Sequence, residues 1–251
     1  LIDFAEGQPD LNSRLVRMIG DPRKRLLEDP IRILRALRLR HMIGFSLDID
    51  LRQAMQEFAH TLPSTVLPRR REEFLKLLRL SSPDLAFREA QDLGLLQHLS
   101  PTLHESLQSE AGETFYAMLS QIRPREGSPA ELFGLLVHAF VRAFMQDNPE
   151  ISPKANEGLQ GEKFQAWMRD ELGMFKFESA LAVKAVETAI ATIPNLRDRN
   201  NICECLLIEV YFYFLNVSFI FSILMNRPMV IQRTTLPSVC DRIGSIPSSI
   251  Q

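Results

Sequence analysis

The chain has 251 residues, 45% of them hydrophobic and 24% charged, with a formal net charge of −2. That is the composition of an ordinary globular protein, long enough for one or two domains with a sizeable core. Asp3 and Glu6 flank only a short apolar run at the start, so no signal peptide is expected there and the cytoplasm is the expected location.

The charge is unevenly spread. Between Leu11 and Arg40 there are nine Lys/Arg and three Asp/Glu, a local balance of +6 that suits phosphate groups. Strands are expected to be limited to a short pairing near residues 1–3 and 15–18. Asp29-Pro30 reads as a helix start, with an acceptor at the N-cap and a pre-set φ at the first helical position. From there Arg32 and Arg35 fall on roughly one face, while Ile31, Leu34 and Leu37 turn to a core. A carboxylate only accepts hydrogen bonds and a guanidinium only donates them. Adenine and cytosine each present an exocyclic amine beside a ring-nitrogen acceptor, and guanine and uracil reverse that order. Asp29 with Arg32 would therefore complement A or C and oppose G or U through charged hydrogen bonds. The alternative is that Asp29 is only an N-cap and the arginines a solvated face.

Further along, Asp48-Ile-Asp50 reads as a loop and the start of a helix over 50–60, not as a metal site. A helix over 67–80 opens on Arg69-Arg70-Arg71, where positive charge at a helix N-terminus invites a phosphate partner or marks a solvated loop end. Ser82-Pro83 opens a helix to Leu93, closed by Gly94, and another runs over 114–122, broken by Pro124. Ser128-Pro129-Ala130-Glu131 is a capping box before an apolar helix to about Met145. Residues 147–161 are polar and rich in Pro, Gly and Asn, and are expected to form a loop. Helices over 164–172 and 175–193 follow, separated by Gly173. Trp167, Met168 and His138 read as core residues.

Other chemistries find no support. The five histidines are scattered without a His-x-x-x-His or His-Asp pair, and no glycine-rich phosphate loop occurs. After residue 200 the text changes. All three cysteines lie there, no lysine follows Lys184, and residues 206–225 are nearly continuous in apolar and aromatic residues. Three readings stay open for this end: a shifted reading frame, a buried helix, or a membrane span of about 20 residues in which Glu209 and Asn216 would be costly. Cys203 and Cys205 are too close and too few for a zinc site.

Three groups of residues carry a resemblance. They are Leu1-Ile2-Asp3 with Asp10-Leu11 and Arg17; Gly20-Asp21-Pro22, Arg25, Glu28-Asp29-Pro30-x-Arg32 and Arg35-Ala36, ending at Gly44-Phe45; and Arg71-Glu72-Glu73-Phe74-Leu75-Lys76-Leu77-Leu78, Leu93-Gly94-Leu95-Leu96 and Pro101. In this order they resemble the class II nucleotidyltransferases, the family of bacterial poly(A) polymerases and CCA-adding tRNA nucleotidyltransferases. The resemblance implies a mainly α, multi-helical neck and body, with at most a short strand remnant of a catalytic head near the N-terminus. The divisions it implies are 1–20 for the end of the head, 21–100 for the neck, 101–200 for a helical body and 201–251 for an unassigned tail.

What the resemblance implies about function is specific. Asp29 and Arg32 would template the incoming base, and Glu28 would orient Arg32 or the helix start, with Arg35 supporting. Arg17, Arg25 and Arg38 would contact RNA or phosphate. The activity would be transfer of nucleotides, ATP foremost, to mRNA or tRNA 3′ ends, with CCA addition as the alternative. Mg²⁺ would be held by an Asp-x-Asp pair in the head, which is not found ahead of the neck, so this chain alone is expected to be a fragment inactive in transfer. A non-catalytic helical module that binds RNA or docks on an RNA helicase is the reading from another class, and a membrane-tethered protein rests only on 206–225.

Overall fold

A computed structural model describes residues 3, 5, 7–121, 127–145 and 158–192. The expected break at Pro124, most of the loop over 147–161 and everything proposed for 201–251 lie outside them. The described part is mainly α, as the sequence implied.

Helix α1 (Gly7–Asn12) leads into strand β1 (Leu15–Val16), then α2 (Pro22–Glu28) and α3 (Arg32–Ile43). Gly44 takes the left-handed conformation, φ 69°, that ends α3 and turns the chain into strand β2 (Ser46–Leu47). The strands pair in parallel, Leu15 with Ser46 and Val16 with Leu47. β2 was not among the expected strands, and of the segment expected to pair with residues 15–18 only Asp3 is among the described residues. Asp3 instead accepts hydrogen bonds from the Ala5 and Gln8 amides at the entry to α1. Two-residue strands carry no alternation by which sequence could assign a partner.

Asp48 caps α4 (Ile49–Glu57), accepting from the amides of Asp50 and Leu51. A 3₁₀ segment (Ala59–Ser64) leads to α5 (Leu67–Leu78), with Pro68 in its first turn. Helix α6 (Pro83–Asp92) ends at Gly94, and two short helices follow, α7 (Leu96–Leu99) and α8 (Pro101–Ser106). Then come α9 (Gly112–Leu119) and α10 (Pro129–Phe144), the latter capped by Ser128 through the Glu131 amide. A 3₁₀ turn (Gly158–Gln160) precedes α11 (Glu162–Ala166), which runs into a π turn (Trp167–Glu171); Gly173 separates this from α12 (Lys176–Thr192).

The core is continuous. Leu26, Ile31, Leu34 and Leu37 are fully buried between the early helices, against Leu51, Met55 and Leu62. An aromatic chain extends it through α5, α6, α9, α10 and α11. Phe74 meets Phe87 edge-on at 5.3 Å, Phe115 lies beside Phe87 and Phe144, and Phe140 reaches Trp167 at 4.3 Å. Trp167, Met168 and His138 are buried, as their sequence setting suggested. Trp167 donates through Nε1 to Ser100 Oγ, whose hydroxyl donates to Glu171. Glu171 also accepts from the Thr102 hydroxyl and amide, fastening the π turn to the start of α8. No helix among the described residues is long and apolar enough to cross a membrane.

Candidate nucleotide and RNA site

Asp29 does not cap α3. It closes α2, its own amide donating to the Arg25 carbonyl, with extended backbone at φ −149°. Pro30 and Ile31 make the turn, and α3 begins at Arg32, whose amide donates to the Asp29 carbonyl. The physical reason is the helix before it. Asp21-Pro22, a cap followed by a proline, starts α2 and carries the chain to Glu28, so the second Asp-Pro falls at a helix end. The same dipeptide was the available signal for α2, which the sequence reading missed.

Freed from capping, the Asp29 carboxylate reaches across to α5. Its Oδ2 accepts from Arg69 Nη2 at 3.0 Å, and the side chain keeps about 21% of its surface exposed. Arg32 turns back toward α2: Nη1 donates to the Arg25 carbonyl at 3.1 Å and lies 3.5 Å from Glu28 Oε2. Glu28 also accepts from Arg25 Nη1 at 3.2 Å. One carboxylate oxygen of Asp29, and Nε and Nη2 of Arg32, remain uncommitted among the described residues. The short Asp29–Arg32 link thus carries a spare acceptor on one residue and spare donors on the other, on a partly exposed surface.

The other arginines expected to contact RNA or phosphate are held by carboxylates. Arg38 Nε lies 3.0 Å from Glu73 and Arg35 Nε 3.6 Å from it, while Lys76 donates to the same side chain at 3.0 Å. Glu73 is only 3% exposed. Burial pushes its pKa up, but the hydrogen bonds and charges of Lys76 and Arg38 outweigh this and hold it below the ordinary value. Glu89 gathers Arg40, His41 and Arg52 in the same way, and its pKa is also lowered, the effect of burial being overcome by His41 and the two arginines. Arg17 is clamped by both oxygens of Asp10, and Arg25 by Glu28. The basic segment is therefore a lattice of satisfied ion pairs more than a row of open cations. Arg69, which sequence offered only as one of three basic residues at a helix start, is the partner that fixes Asp29.

The described residues do not fit the Mg²⁺ that the resemblance implied. Among them no group of three or more His, Cys, Asp or Glu side chains is placed to hold a metal ion. Asp48, half of the one Asp-x-Asp pair near the site, spends its carboxylate on the start of α4.

The helical array has known counterparts. It matches the Bacillus stearothermophilus CCA-adding enzyme in complex with CTP with a TM-score of 0.59 at 21% identity, over 84% of this chain and 49% of that one. It also matches the Thermotoga maritima CCA-adding enzyme complexed with tRNA, with a TM-score of 0.54 at 17% identity, over 96% of this chain and 61% of the other. These likenesses define the fold as that of the helical part of such enzymes. In sequence, residues 44–107 match the family described as the probable RNA and SrmB-binding site of polymerase A. A CCA-adding enzyme of Bacillus velezensis is 33% identical over 99 residues, which is 39% of this chain and 25% of the relative. Poly(A) polymerase I of Haemophilus influenzae is 35% identical over 103 residues, 41% of this chain and 23% of the relative. In these stretches the chain is similar to poly(A) polymerases and CCA-adding enzymes. It spans about a quarter of the length of these two relatives.

Proposed function

We propose that this chain is the base-selecting and RNA-binding portion of an RNA 3′-end nucleotidyltransferase, with an adenylyltransferase-like preference for ATP. The observation that carries the reading is that Asp29 keeps a spare acceptor and Arg32, three residues on, keeps spare donors. An adenine amine would donate to Asp29, and the adjacent ring nitrogen would accept from Arg32. Guanine and uracil would set carbonyl oxygen against carboxylate and N–H against guanidinium, leaving charged groups unpaired at a cost that outweighs any hydrogen bond still made. Glu28 and the Arg25 carbonyl would hold Arg32 in place, and the Arg69 ion pair would keep the carboxylate from turning away. Phosphoryl transfer requires metal-bound charge that the described residues do not supply, so we place that chemistry outside them, and the chain alone should bind nucleotides without transferring them.

Addition of C and A to tRNA is the second reading, favoured by the CCA-adding enzymes among the relatives. The same edge pattern serves cytosine and adenine, so Asp29 and Arg32 do not separate the two. Equilibrium binding of the four ribonucleoside triphosphates to residues 1–251 tests the shared core of both. ATP and CTP should bind more tightly than GTP and UTP, and Asp29→Ala or Arg32→Ala should remove the difference, worth roughly 1–3 kcal/mol for one bidentate contact by analogy with base readout. Equal affinity for all four with the unaltered chain contradicts the reading.

A further inference from the structure

Phe175, Lys176 and Phe177 form an exposed run at the start of α12. The two rings are 58% and 61% exposed and lie nearly parallel, 13° apart in plane, with centroids separated by 6.2 Å. Large apolar side chains seldom sit side by side in water without a partner. Their positions are built, not incidental. Arg71 places its guanidinium 4.7 Å from the centre of the Phe175 ring while bonding the buried Glu178 at 2.6 Å. The other Glu178 oxygen accepts from the Phe175 amide at 2.8 Å. Gly173 lets this loop press on α5, where an added Cβ would stand 3.2 Å from both Arg71 Cβ and Leu67 Cγ.

Two cations, one within this run and one on the helix that Gly173 packs against, have no carboxylate partner among the described residues. Lys176 makes no ion pair among the described residues. Arg70 sits on α5 next to Arg71 and one turn from Leu67, the two residues that Gly173 touches. Its Nε is buried without a hydrogen-bond partner, and no carboxylate among the described residues pairs with it. The carboxylates at hand, Glu72 and Glu178, are both taken by Arg71. A partly desolvated guanidinium without a counter-ion is costly alone and favourable once an anion arrives.

We propose that the Phe175–Phe177 pair is a stacking platform for an unpaired base of the bound RNA, with Arg70 and Lys176 taking the adjoining phosphates. Parallel aromatic faces interleaved with cations are what sequence-tolerant recognition of single strands needs, because every base offers a π face and every nucleotide a phosphate. The proposal rests on the RNA-binding reading above and extends it to a surface far along the chain from Asp29.

The test is fluorescence anisotropy of the full 251-residue chain with an unpaired adenylate dodecamer and with a blunt RNA duplex of equal length. The unpaired strand should bind more tightly than the duplex. Phe177→Ala should weaken it by roughly five- to tenfold, while Phe177→Tyr, which keeps the ring, should not. Arg70→Gln should weaken it and flatten its salt dependence by about 0.7 in log–log slope, the loss of one phosphate contact. Unchanged binding in Phe177→Ala, equal loss in Phe177→Ala and Phe177→Tyr, or equal affinity for strand and duplex overturns the platform. So does a change from dimer to monomer in Phe177→Ala with RNA binding intact, which would make the rings a protein interface. The Asp29 and Arg32 variants separate the two claims: nucleotide discrimination that still depends on them, beside a silent Phe177→Ala, leaves base selection standing and removes only the platform.

Discussion

Glu73 concentrates much of the electrostatics of the site in one side chain. Three cations, Arg35, Arg38 and Lys76, converge on a carboxylate that water hardly reaches. Arg35 and Arg38 are thereby kept on the face of α3 that follows Arg32, so the acid shapes the site without touching a ligand. Because the folded pKa lies below the ordinary carboxylate value of 4.5, the unfolded chain binds more protons in acid, and stability must fall as pH falls. The contribution is complete above about pH 4.5 and is lost as the pH drops through the depressed folded value. Glu73→Gln should cost roughly 1–3 kcal/mol at pH 7, below the range for a fully buried pair because its partners are part exposed. Urea unfolding at pH 7 and pH 3 should show the gap between the two proteins narrowing in acid. A gap that stays constant would mean that the folded and unfolded chains hold the Glu73 proton equally tightly, so that the three cations do not stabilise its carboxylate.

At the scale of elements, helix starts marked by Ser-Pro were legible because the signals act locally: at Ser82-Pro83 the proline alone marks the start, and at Ser128-Pro129 the side-chain cap and the proline act together. The buried faces of α3 and α10 were legible for the same reason, periodicity being a local property. The site was legible in its residue types but not in its pairings. Asp29–Arg69 spans 40 residues and Arg38–Glu73 spans 35, and no local rule sets such partners. Asp29 itself was misplaced, since two Asp-Pro steps compete and the first, at Asp21, fixes where α2 must end. The π turn, α7 and α8 are short and held by the Glu171 network, which no periodicity announces. Gly173 is the junction where local and long-range demands meet, with φ 71° and packed backbone against α5. Gly173→Ala should destabilise by about 1–3 kcal/mol, combining the left-handed penalty with displacement of Leu67 and Arg71. A denaturation midpoint equal to that of the unaltered protein would show that the loop accommodates a Cβ.

For the molecule as a whole, the aromatic chain from Phe74 to Trp167 and the buried Arg71–Glu178 pair tie the early helices to the late ones. The proposed nucleotide site and the Phe175–Phe177 surface therefore sit on one packed framework. Its charge pattern bears on RNA affinity. Although residues 11–40 carry a balance of +6, Arg17, Arg25, Arg35 and Arg38 are engaged by carboxylates. Ion pairs that persist release no counterions, and with Arg23, Arg32 and Arg40 engaged as well only Arg14 and Lys24 remain among the described residues of this segment. The segment should therefore contribute a log–log salt slope of about −1.4 to binding of single-stranded RNA, the value for two phosphates and not for nine. Titration at several salt concentrations measures it, and a slope steeper than about −5 would mean that RNA breaks these pairs.

The central claim is that Asp29 and Arg32 choose the base. Its most direct measurement is incorporation of each of the four nucleotides onto an RNA 3′ end by the proposed nucleotidyltransferase of which this chain would be the base-selecting portion. The ratio of kcat/KM for ATP to that for GTP or UTP should fall by roughly tenfold or more in Asp29→Ala and in Arg32→Ala, the loss of one charged bidentate contact. Selectivity unchanged in both variants would contradict the account and leave Asp29 and Arg32 as residues that only shape the turn between α2 and α3.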